Sequence, residues 1–162
     1  MYSALDISKW FLYKNFEKQK ENIAENDEFD IYEVITHLKL QKLLYNAQGV
    51  YLALTDEKLF DEKLIAWEHG PVVKEVYDKY KLNGRKVINF ETNDINIIQT
   101  IEKDKKTNEI LEMVYDTFSI YTAWQLREMS HEKGTPWDMT ESDKEISIIL
   151  LKEYFKKEVV VE

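Results

Sequence analysis

The sequence predicts a mainly α, single-domain protein with one small two-stranded β element, and three features of the chain lead there. Apolar residues recur at helical spacing through most of its length, most regularly at Leu40, Leu43, Leu44, Ala47, Tyr51 and Leu54. Only residues 63 to 77 break that pattern strongly, where Lys63-Leu64-Ile65-Ala66-Trp67 is short and partly apolar and Gly70-Pro71 forces a turn. The third feature is size: 162 residues, 44% hydrophobic and 13% aromatic, suffice for one buried core without a second domain.

The first helix is expected from Ser3, whose hydroxyl can cap it with Asp6 in the first turn, and it places Ile7, Trp10 and Phe11 on one face. It fades by about Asn22. Residues 17 to 33 carry seven acids against two lysines, which reads as an acidic surface loop or as an acidic docking segment. The second helix spans about Thr36 to Thr55 on the Leu40 stripe. Lys39, Gln41, Lys42, Asn46 and Gln48 lie off that stripe and read as solubilising residues.

Proline fixes its own φ near the helical value and needs no amide partner in a helix's first turn, so the next helix is expected to start at Pro71. It carries Val73, Val76, Tyr77 and Tyr80 on one face. Asn83-Gly84 marks a turn, and Lys86-Val87-Ile88-Asn89-Phe90 reads as a short strand that could pair with residues 63 to 67. Helices over about Asn93 to Lys103 and Asn108 to Ser119 follow, the latter with Leu111, Val114 and Phe118 inward. Thr122-Ala123-Trp124-Gln125 has the form of a capping box for a short helix to Ser130, with Gly134 suited to a left-handed cap. Thr135-Pro136 repeats a cap followed by proline, and a last helix is expected from Glu141 to Lys157 with Ile146, Ile149, Leu150 and Tyr154 on one face.

Composition removes several classes of function. With 22 basic and 31 acidic residues the chain carries a net charge of −9, the wrong field for phosphate neutralisation, so no nucleic-acid partner is expected. Lys103, Lys105 and Lys106 cluster, but Glu102 and Asp104 interleave with them. Cysteine is absent, which excludes disulfides, thiol catalysis and cysteine-ligated zinc and fits a reducing compartment. Trp10-Phe11-Leu12-Tyr13 is bounded by Lys9 and Lys14, too short for a span or signal, so a cytoplasmic protein without a membrane is expected. The four glycines, at 49, 70, 84 and 134, never cluster into a phosphate loop. No nucleophile elbow or triad spacing is present, so no catalytic residue and no cofactor is assigned.

Two constellations stay open. His69 and His131, with the adjacent Glu68 and Glu132, would form a metal site for a hydrolase if their loops met, although no zinc-binding spacing supports it; structural histidines at helix ends are the alternative. Trp67, Tyr77, Trp124 and Trp137 either fill the core or line a partner groove, in which Gln48, Glu68, His69 and His131 would orient the partner.

Taken as a set, the motifs are Lys39-Leu40-Gln41-Lys42-Leu43-Leu44-Tyr45 with Ala47-Gln48-Gly49, and Leu59-Phe60-Asp61-Glu62 leading to Ala66-Trp67-Glu68-His69-Gly70-Pro71-Val72-Val73 and Val76-Tyr77. Thr122-Ala123-Trp124-Gln125-Leu126, Ser130-His131 and Gly134-Thr135-Pro136-Trp137 complete them. Over about residues 4 to 155 this resembles the Panacea domain, the family of SocA-like antitoxins and phage-associated GepA-like proteins. The resemblance implies an antitoxin of a toxin-antitoxin system, prophage or mobile-element associated, that neutralises a cognate protein toxin by direct binding and in one mode delivers it to a cellular protease. A phage-encoded host-interaction module is the variant that differs only in target. Leu40, Tyr45, Trp67, Gly70, Pro71 and Tyr77 then read as scaffold; Gln48, Glu68, His69, Trp124, His131 and Trp137 are the candidate contact residues. An acidic chain of this kind suits a basic toxin.

Overall fold

Helix α2 (His37–Thr55) is the axis of the molecule, and its burial explains the rest of the architecture. Every residue from Lys39 to Leu52 on it is buried, so it has no solvent face. A helix buried all round must be surrounded by other elements. In the computed structural model, which describes residues 1–24 and 34–160, those elements are α1 (Ala4–Ala24), β2 (Gly70–Val73), α3 (Lys74–Tyr80), α5 (Lys105–Phe118), α6 (Ala123–His131) and α7 (Ile148–Tyr154), with a π turn over Phe155–Val159. Strand β1 (Leu64–Trp67) pairs with β2, and α4 (Ile95–Lys103) packs on α1 and α5. The mainly helical domain with one two-stranded sheet matches the expected fold class.

The N-terminal cap forms: the Asp6 amide donates to Ser3 Oγ at 3.1 Å and the Ser3 amide to Asp6 Oδ2 at 3.2 Å. Ile7, Trp10 and Phe11 are buried, and the Trp10 indole N–H reaches Asn108 Oδ1 on α5 at 2.9 Å. Glu17 and Glu21 belong to α1; the remainder of the acidic stretch, residues 25–33, lies outside the described residues. Thr36 caps α2 by accepting from the Lys39 amide. Gly49 has no side chain because the Phe155 ring lies where a Cβ would stand, so the π turn seats directly on the α2 backbone.

Four expected elements differ. Pro71 lies in strand β2, and the helix begins only at Lys74. Ala66, opposite Pro71, turns both its peptide groups the other way: its N–H donates to Lys144 O at 2.9 Å and its C=O accepts from the Asp143 amide at 2.8 Å. Proline's missing N–H therefore leaves no gap in the β1–β2 ladder. Residues 86–90 do not pair with β1; they bridge to the entry of α2 through Thr36↔Val87 and the Ile88 amide to Ile35 O at 2.9 Å. The last helix starts at Ile148 because residues 143–146 run beside β1, with Ile146 donating to Leu64 O at 2.8 Å. Its buried residues are Leu151 and, one turn on, Phe155, while Ile149 is exposed, as is Leu54 at the end of the α2 stripe. Thr135-Pro136 likewise opens a capped turn and no named helix.

Candidate functional site

The β1–β2 hairpin turns on two residues, Glu68 and His69, both exposed, between the paired Trp67 and Gly70. Gly70 takes φ +114°, open to glycine and rarely to other residues. A Cβ there would also stand 2.7 Å from Lys42 Nζ. Below this tip the hairpin is held on every side by polar groups.

Its outer edge faces α2. The Gln41 carboxamide donates to Val73 O at 3.2 Å and accepts from the Val73 amide at 2.8 Å, as a neighbouring strand's peptide would. Lys42 Nζ donates to Pro71 O at 3.2 Å. Two buried side chains of one helix thus replace a third strand and satisfy an edge that would otherwise be costly to bury. Burial first, and then the Arg127 charge, pull the Lys42 ammonium down to about 7. Burial, followed by the Lys42 charge, also holds His37 below the usual histidine range.

The tip is clamped from the opposite side by the loop after α6. The Trp137 indole N–H donates to Trp67 O at 2.7 Å, and His131 Nε2 lies 2.9 Å from Glu68 O. His131 Nδ1 is 2.7 Å from Arg127 O, and its ring stacks on Trp137 with centroids 3.7 Å apart. His131 sits in the last turn of α6, with each ring nitrogen within hydrogen-bond distance of a carbonyl oxygen, to one of which the neutral imidazole donates. Its imidazole positions the turn and is not directed at a metal. Among the described residues no group of three or more His, Cys, Asp or Glu side chains could hold one.

The six candidate contact residues therefore separate. Glu68 and His69 form the exposed tip, and Trp124 is 62% exposed at the start of α6, with the Arg127 guanidinium 4.7 Å from its ring centre. His131 and Trp137 are partly buried clamps beneath the tip. Gln48 must be corrected: it is 0% exposed, donates to Phe60 O at 2.7 Å and accepts from the Leu59 amide at 2.8 Å. It braces the loop before the hairpin and cannot touch a partner in this fold. Leu40 and Tyr45 lie in the core, Tyr45 edge-on to Phe155, and Trp67 packs edge-on to Tyr77 at 4.9 Å.

Sequence reasoning missed Gln41, Lys42 and Lys39, which it assigned to solubility. Lys39 Nζ reaches Ser119 O at 2.6 Å and is 1% exposed. A usable signal was present: the half of the helix that carries Lys39, Gln41, Lys42, Asn46 and Gln48 also carries Leu38, Tyr45, Leu52 and Ala53, so no continuous polar face is left for solvent.

Two adjoining depressions flank the tip and share Leu38 and His69. One, of about 380 Å³, is lined by Trp67, Tyr77, His37 and Val72, with Glu68 and Asp143 at its polar end. The other, of about 520 Å³, is lined by Trp124, Arg127, Arg85 and Gly84.

What fold and site define together is a helical domain that offers a braced hairpin tip beside an aromatic groove. The chain matches the Antitoxin SocA-like, Panacea domain family over residues 40–138, and it belongs to that family. It is 36% identical over 111 residues to antitoxin SocA of Caulobacter vibrioides (strain NA1000 / CB15N), an alignment covering 65% of this chain and 59% of that protein. The chain thus spans less than two thirds of the curated relative's length. No solved structure matches it significantly.

Proposed function

We propose that this chain is an antitoxin that neutralises a cognate protein toxin by direct contact, without catalysis, in the cytoplasm. Its membership of the SocA-like family supports the antitoxin role, and one structural observation supports the mode of action. Glu68 and His69 are held out by brackets that spend the hydrogen bonds of Trp67 O, Glu68 O, Pro71 O and Val73 on the fold, leaving the tip's side chains free. A rigid, preorganised tip loses little entropy on docking. Trp124, exposed nearby, supplies the kind of aromatic anchor that dominates protein interfaces.

The test is to express the neighbouring open reading frame alone and together with this chain. Toxicity that the wild-type chain relieves, and that a folded Glu68→Ala, His69→Ala double variant relieves poorly, is the expected result. Toxicity that the wild-type chain leaves unchanged overturns the reading. Repeating the rescue in a host lacking its ATP-dependent proteases separates occlusion, which persists there, from delivery to a protease, which does not.

A further inference from the structure

The chain's net charge of −9 points to a basic partner, yet the groove beside the tip has the opposite local sign. The depression at the start of α6 carries Arg85, Arg127 and His69 and no acidic residue in its lining. Arg85 is exposed and has no acidic partner among the described residues. Arg127 pairs at Nη1 with Glu128, 3.1 Å away, but its buried Nε has no acceptor. The positive end of the α6 dipole opens at Ala123, into the same depression. Across Leu38 and His69 the second depression is walled by Trp67, Tyr77 and Val72. The two adjoining depressions, which share Leu38 and His69, thus form a groove that is cationic at one end and aromatic at the other, with Glu68 and Asp143 also lining the aromatic end.

We infer that this groove receives an extended acidic segment of the protein partner, its carboxylate at the Arg85 and Arg127 end and a neighbouring apolar side chain against Trp67 and Tyr77. This rests on the antitoxin reading only in naming the partner as the toxin. Charge complementarity selects the occupant: two arginines in a local field that the rest of the surface opposes favour an anionic group over a cationic one. A nucleic acid would present phosphates along its whole length to a strongly acidic surface, whereas a peptide carries its charge at one point. The Arg127 guanidinium beside Trp124, held at Nη1 by Glu128, offers its Nη2 as a charged donor to a carboxylate.

The test is selection of displayed random short peptides on the folded full chain, run in parallel on an Arg85→Glu, Trp124→Ala variant and on Lys133→Glu, an equal charge change on an exposed residue outside the groove lining. The expected outcome is enrichment of Asp or Glu next to an aromatic or aliphatic residue, falling about tenfold or more on the groove variant and unchanged on Lys133→Glu. Recovery of basic or uncharged peptides, equal recovery on the groove variant, or no enrichment overturns the inference. So does a fluorescent single-stranded oligonucleotide that binds the wild type and is lost in the groove variant. Acidic peptides bound by a chain that rescues no toxin would keep this inference and remove the antitoxin reading. Rescue undiminished in the folded groove variant would do the reverse.

Discussion

The hairpin has a locked root and a free tip, and the contrast shows how this fold separates stability from contact. At the root, Gly70 to Val73 are fully buried and every outward peptide group that faces α2 finds Gln41 or Lys42. At the tip, two residues away, Glu68 and His69 expose their side chains while His131 and Trp137 hold carbonyls behind them. The same strand pair therefore contains residues whose replacement unfolds the protein and residues whose replacement leaves it standing.

Gly70→Val is the strongest way to break that contrast. The new side chain meets both a positive φ and the buried Lys42 amine, and the expected loss is about 4 kcal/mol in chemical denaturation. A variant within 1 kcal/mol of wild type, by the same rough scale, would show the root to be loose. Gln41→Leu comes next. It strands the Val73 N–H and C=O without partners in the interior, for about 3 kcal/mol, again read by denaturant midpoint.

Lys42→Met probes the root through pH. An amine whose folded pKa lies near 7, below its unfolded value, binds fewer protons folded than unfolded over that interval. Wild-type stability is therefore expected to rise from about pH 7 towards pH 10. Above that it falls again, because burial pushes Tyr2 and Tyr80 up to about 12, so the folded state keeps protons that the unfolded chain has lost. Lys42→Met should flatten the rise between about pH 7 and 10 and keep the fall above it, in thermal melts from about pH 7 to 12. An unchanged slope would mean that the amine keeps its charge without cost.

The smallest effect belongs to the tip. Glu68→Ala with His69→Ala should shift stability by less than about 0.5 kcal/mol, since neither exposed side chain holds the fold. A larger loss would make the tip structural and weaken its case as a contact surface.

The apolar stripe of α2, the Ser3 and Thr122 caps and the inward face of α5 were legible in the sequence because period and capping are local. Pro71 was misplaced because a helix start and a strand residue with no ladder bond to donate look alike in one dimension. Of the site, the exposed tip and Trp124 stood among the candidate residues, whereas Gln48 and the true role of His131 and Trp137 depended on what lay across from them.

By itself, then, the sequence determined a mainly helical domain of the SocA-like Panacea family, with a break at residues 63 to 77, since helical period, turn chemistry and motif order act over a few neighbours. Tertiary structure alone decided which backbone groups the polar residues of α2 bracket. Whether a Gln or Lys is solvated or buried is set by an acceptor arriving from far along the chain, 32 residues away for Val73 and Gln41 and 80 for Ser119 and Lys39. No local pattern encodes that meeting.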